Sequence, residues 1–159
     1  MKLQTATRIA IHAVLELASD PGSQISAAQI AERFDISVNH LAKVLRTLGR
    51  AGLVEALRGV RGGYRFRGNA KRVTLLDIIT LFEDIGSDGE DSREPGSHTR
   101  EGRALRRVLA EFDDTARATL SSISVATMLM LIGQEPPDPA PAPSASPTAQ
   151  RGARPRRPA

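Results

Sequence analysis

The chain has 159 residues, 40% of them hydrophobic but only 3% aromatic, and it holds neither Cys nor Trp. That allows one modest, aliphatic, mainly helical core with appendages, and it excludes disulfides, thiolate metal sites and thiol catalysis. The net charge of +4 is unevenly spread, with 12 Lys/Arg against 5 Asp/Glu in residues 1–72 and 6 against 11 in residues 73–134. A basic head on an acidic body suits a polyanion-binding unit, because clustered cations release counterions where a high overall pI alone does not.

From the N-terminus, Ile9, Val14 and Leu17 recur with Ala6, Ala10, Ala13 and Ala18 at helical spacing, and Pro21-Gly22 ends that helix. His12 and Glu16 interrupt its apolar run, so no signal-peptide core or membrane span is read here and a cytoplasmic protein is expected. Ser26-Ala27-Ala28-Gln29 has the form of a capping box and predicts a short helix over about residues 27–34. The turn Asp35-Ile36-Ser37 supplies a second N-cap at Ser37. Beyond it Val38, Leu41, Val44, Leu45 and Leu48 form a stripe expected to face the core. Gly52 follows, where freedom to adopt positive φ favours a helix stop.

The period then changes. Residues 53–57 and 64–66 read as two strands joined by Arg58-Gly59-Val60-Arg61-Gly62-Gly63, a wing whose glycines allow close approach to another surface. Thr74 opens another capped helix with Ile78, Ile79, Leu81, Phe82 and Ile85 as apolar residues. Residues 86–99 have almost no apolar content and are expected as an exposed loop. A long helix over about 100–122 carries Leu105, Val108, Leu109, Phe112, Ala116 and Leu120 as a stripe, and Ser124 caps a last short helix. Eight of the ten prolines lie in residues 136–158, so residues 134–159 are expected to form a disordered tail.

The chemistry concentrates in residues 37–72, where Lys43, Arg46, Arg50, Arg58, Arg61, Arg65, Arg67, Lys71 and Arg72 face a single Glu55. After Ser37, the positions off the apolar stripe are Asn39, His40, Lys43, Arg46, Thr47 and Arg50, donors suited to base edges and phosphates in a major groove. The link beyond places Arg58 or Arg61 toward the narrower minor groove, where negative potential favours arginine. The candidate contacts with double-stranded DNA are therefore Ser37, Asn39, His40, Lys43, Arg46 and Thr47 on the helix, and Arg58, Arg61, Gly62, Gly63 and Tyr64 on the wing. The fold class expected is mainly α with a small β-hairpin: a winged helix-turn-helix domain over 1–86, with its helix-turn-helix at about 27–51 and its wing at 53–67. An exposed loop at 87–99 and a helical part over 100–133 follow. No catalytic residue is expected, since His12, His40 and His98 stand in no nucleophile or phosphate-loop pattern.

The opening M-K-L-Q-T-A-T-R, the run I-A-E-R-F-D-I-S-V-N-H-L-A-K-V-L, the wing L-V-E-A-L-R-G-V-R-G-G-Y-R and V-T-L-L-D-I-I resemble the bacterial IscR/NsrR/CymR-type regulators, the Rrf family. The resemblance spans about residues 1–132, and N-H-L-A-K-V is most similar to the NsrR branch. It implies a homodimer in which the long helix crosses its partner through Leu105, Val108, Leu109, Phe112, Ala116 and Leu120. Each head then reads half of an inverted repeat, as a repressor would. Members of the IscR and NsrR type hold an iron–sulfur cluster on three cysteines in the loop before the long helix. This chain has none, and serine hydroxyls do not replace thiolates, so no cofactor is expected. The acidic groups Asp88, Glu90, Asp91 and Glu94 with His98 are read as a solvated segment rather than a metal site. CymR-type members work without a cluster, which leaves an effector metabolite, a partner protein or no effector. The competing possibility is a winged-helix docking module that binds protein rather than DNA; the basic surface of 37–72 argues against it.

Overall fold

The computed structural model describes residues 2–60, 62–85 and 95–136. Arg61, residues 86–94 with most of the expected loop, and residues 137–159 with most of the expected tail lie outside the described residues. Helix α1 (Thr5–Ser19) is the centre of the head, burying Ile9, Ala10, Ala13, Val14 and Leu17. Its small residues let α3 (Val38–Arg50) pack closely across it, alongside α2 (Ala27–Arg33).

The predicted capping box forms at α2. Ser26 Oγ accepts from the Gln29 N–H at 3.2 Å, and Gln29 Oε1 accepts from the Ser26 N–H at 2.9 Å. Asp35, at φ 52, turns the chain from α2 into α3, whose Leu41, Val44, Leu45 and Leu48 are buried. Gly52 adopts φ 74, and the Leu53 N–H donates to the Leu48 carbonyl at 3.0 Å, closing the helix as expected.

Strands β1 (Val54–Leu57) and β2 (Gly63–Phe66) form the antiparallel hairpin, with Val54 opposite Phe66 and Leu57 opposite Gly63. A further tie has no counterpart in the sequence pattern. The Ile25 N–H donates to the Tyr64 carbonyl at 3.0 Å and the Tyr64 N–H to the Ile25 carbonyl at 2.8 Å, which bonds the wing to the segment ahead of α2.

Helix α4 (Leu75–Ile79) starts at a second capping box, Thr74 with Asp77, and is a single short turn rather than the longer element its apolar residues suggest. Helix α5 (Arg100–Ser122) matches the predicted span, and α6 (Val125–Ile132) starts at Ser124, whose Oγ accepts from the Thr127 N–H at 3.1 Å. The sequence grouped α6 with the long helix. Instead, the Val125 N–H donates to the Val73 carbonyl and the Ala126 N–H to the Ala70 carbonyl, each at 2.8 Å, which turns α6 back onto α1. Val125 is buried in the same cluster as the α1 residues, so α6 completes the core of the head.

Candidate nucleic-acid interface

The outward side of α3 follows from its inward side. Because Leu41, Val44, Leu45 and Leu48 are locked in the core, Asn39, Lys43, Arg46 and Arg50 share the opposite side and all four are exposed. Their spacing of four, three and four residues lines them along about 16 Å of helix. Ser37 occupies the N-cap position, but its side chain makes no capping hydrogen bond, leaving the hydroxyl for other partners. His40 is half-buried and turns toward α1 rather than outward. Thr47 is also half-buried, and its hydroxyl donates to the Lys43 carbonyl at 3.4 Å.

Val38 departs from the expectation. Counted into the core stripe, it is 48% exposed, because it is the first residue of α3 and the flanking Ser37 and Asn39 are exposed as well. An apolar side chain next to Asn39 at the leading end of this helix has the chemistry to meet a thymine methyl. The only sequence signal for it was its place at the helix start.

On the wing, Arg58 is exposed and Val60 stands fully in solvent; Arg61 lies outside the described residues. The glycines have intramolecular reasons for their identity. A Cβ on Gly62 would meet the Leu57 carbonyl oxygen at 2.7 Å, and one on Gly63 would meet the Ile25 carbonyl oxygen at 2.8 Å. Tyr64 rests partly buried against the core. Arg65 pairs across the hairpin with Glu55, directly opposite in register, at 2.8 Å. That hydrogen bond from Arg65, reinforced by the charges of Arg65 and Arg67, holds the Glu55 carboxyl below its ordinary range, so Arg65 is engaged while Arg58 and Arg67 are exposed.

The long helix divides in two. Leu105, Val108, Leu109 and Phe112 are exposed, Phe112 by 68%, and no residue of α5 is fully buried. Ala116 and Leu120, expected to share that surface, instead rest on Leu75, Ile79 and Ile85 of the same chain. The Arg117 guanidinium donates to the Ile85 carbonyl, and Arg106 donates to the Ser97 carbonyl at 2.8 Å. These bonds fasten α5 to the described residues on either side of the loop.

The chain matches the Rrf2 family, described as "Iron-dependent Transcriptional regulator", over residues 3–130. It is 53% identical over 135 residues, 85% of each chain, to BadM of Rhodopseudomonas palustris, a protein described as an HTH-type transcriptional regulator. Among solved structures it is similar to CymR (YrzC), the global cysteine regulator of B. subtilis. The TM-score there is 0.70 at 26% identity, covering 82% of this chain and 98% of that one. It is similar also to T. potens IscR, with TM-score 0.68 at 26% identity, covering 83% and 88%. The iron in the family description finds no thiolate here, since the whole chain lacks cysteine. Serine and carboxylate oxygens do not replace thiolates on a cluster of that kind, so a cysteine-ligated cluster does not fit this donor set. With the helix-turn-helix, the hairpin and a family match over most of its length, the chain belongs to the Rrf2 family of winged-helix, DNA-binding transcriptional regulators.

Proposed function

We propose that the protein is a cytoplasmic repressor that binds an inverted-repeat operator as a homodimer, by binding alone, with no catalytic step and no cysteine-ligated cluster. The observation that carries this is the exposed row Asn39, Lys43, Arg46 and Arg50 on a helix whose opposite side is fixed in the core. That row enters the major groove, led by Ser37 and Val38, while Arg58 and Arg61 at the wing reach the neighbouring minor groove. The exposed half of α5 supplies the apolar contact between protomers, and two heads about 34 Å apart match successive turns of one DNA face. No helix among the described residues is long and apolar enough to cross a membrane.

A genome-wide footprint followed by anisotropy titrations on the recovered site tests this. Affinity should fall steeply with salt, and Lys43→Ala or Arg61→Ala, each removing one cation per protomer, should reduce the log–log salt slope by about 2 for the dimer while the dimer persists. In a run-off assay the bound operator should lower transcript yield. Equal, salt-insensitive affinity for every sequence would overturn the proposal.

A further inference from the structure

A cavity of about 350 Å3 lies between α1 and the turn joining α2 to α3, beside the first turn of α3 but off its outward row. Three basic side chains from two elements line it: Arg8 and His12, one turn apart on α1, and His40 in the first turn of α3. Phe34 contributes an aromatic wall, its ring stacked on His12 with centroids 4.9 Å apart. Asp35 is the one carboxylate in the lining, and among the described residues no ion pair joins it to Arg8. The nearby Glu16, one turn beyond His12 on α1, is engaged by Arg33 at 3.2 Å. Burial, and then the charge of Arg8, hold the His12 imidazole below its ordinary range.

We propose that this cavity is an anion site that takes a phosphate or carboxylate group against Arg8, His12 and His40, and that its occupancy positions α3 through His40 and Ser37. The volume falls in the range of small-molecule sites, roughly 300–1,000 Å3. Its mix of a few convergent polar groups with aromatic and aliphatic walls suits a small organic acid or phosphate ester. The same chemistry has two sources, a free metabolite or a backbone phosphate of bound DNA, because the cavity opens beside the first turn of α3. The coupling to α3 rests on the operator-binding function proposed above; occupancy of the cavity does not.

The first measurement is an NMR titration of the full chain with inorganic phosphate and with acetate, at ionic strength held constant with chloride. The His12 and His40 ring signals should shift saturably, and the His12 titration should move upward as the anion favours the imidazolium. Arg8→Ala should abolish the shift and Arg8→Lys should retain part of it; Arg8 is exposed, so both variants keep the core. A response to phosphate and acetate no greater than to chloride, or one unchanged in Arg8→Ala, overturns the site. The second measurement separates the sources on the recovered operator. If DNA fills the cavity, one methylphosphonate per half-site lowers wild-type affinity roughly tenfold or more and leaves Arg8→Ala indifferent. If a free anion fills it, phosphate at fixed ionic strength changes wild-type operator affinity by a factor that Arg8→Ala lacks, and no methylphosphonate distinguishes the two proteins. Should neither pattern occur, the link to α3 is overturned. Loss of sequence preference in the wild type would instead sink the operator function and leave the NMR result standing.

Discussion

Helices α3 and α5 carry the same kind of apolar stripe and meet opposite fates. Leu41, Val44, Leu45 and Leu48 of α3 disappear into the head, whereas α5 has 23 residues and buries none of them fully. Periodicity therefore specifies a side that needs covering without naming what covers it. For α3 the cover is α1, and the side left over becomes a row of donors. For α5 the described residues cover only the C-terminal half, against Leu75, Ile79 and Ile85, and Leu105, Val108, Leu109 and Phe112 stay exposed.

Substitutions on the two helices should break in different places. Leu48→Ala removes a fully buried side chain and should destabilise the head by about 2–5 kcal/mol, read as a lower urea midpoint. Phe112→Asp should leave the monomer folded, shift sedimentation to the monomer and weaken operator binding by roughly 100-fold or more, since the second half-site no longer binds in the same complex. If Phe112→Asp unfolded the protein while Leu48→Ala were silent, the contrast between the helices would be wrong. The two halves of α5 allow a finer comparison. Leu120→Ala should cost the monomer roughly 1–2 kcal/mol, while Leu109→Ala should change only the dimer dissociation constant.

Smaller effects test the exposed side of α3 and the wing. Val38→Ala should weaken operator binding several-fold and remove the wild-type penalty for replacing one thymine per half-site with uracil; an unchanged penalty would assign the methyl to another residue. Glu55→Gln should barely move the urea midpoint near neutral pH, because the pair with Arg65 is solvent-exposed. The folded-state depression of the Glu55 titration means that its contribution is present above the ordinary carboxylate value. It is lost as pH falls through the lower folded value, so wild type and variant should converge in acid.

Much of this was legible because it is local. Ser26 with Gln29, Thr74 with Asp77, and Gly52 each carry their own geometry, and the long helix began and ended where its stripe did. What escaped depended on neighbours distant in sequence. Val38 belongs to the stripe by spacing, but among the described residues nothing beyond the first turn of α3 covers it. Gly62 and Gly63 looked like residues making room for a ligand, whereas the close neighbours are the chain's own carbonyls. The inward turn of His40 toward Arg8 and His12 required the crossing of α1 and α3, which no local pattern encodes. The return of α6 to the core rests on backbone bonds to Val73 and Ala70, and amide groups leave no signature in side-chain order.

The paired amide bonds between Ile25 and Tyr64 have a mechanical consequence. They join the hairpin to the strand-like lead into α2, so, on the proposed reading in which α3 and the wing enter neighbouring grooves, the helix-turn-helix and the wing would act as jaws of one caliper rather than as hinged fingers. A caliper of fixed gauge measures distance along the duplex as well as chemistry. A site with the right bases at the wrong separation must bend or twist to fit, and the strain falls on the nucleic acid.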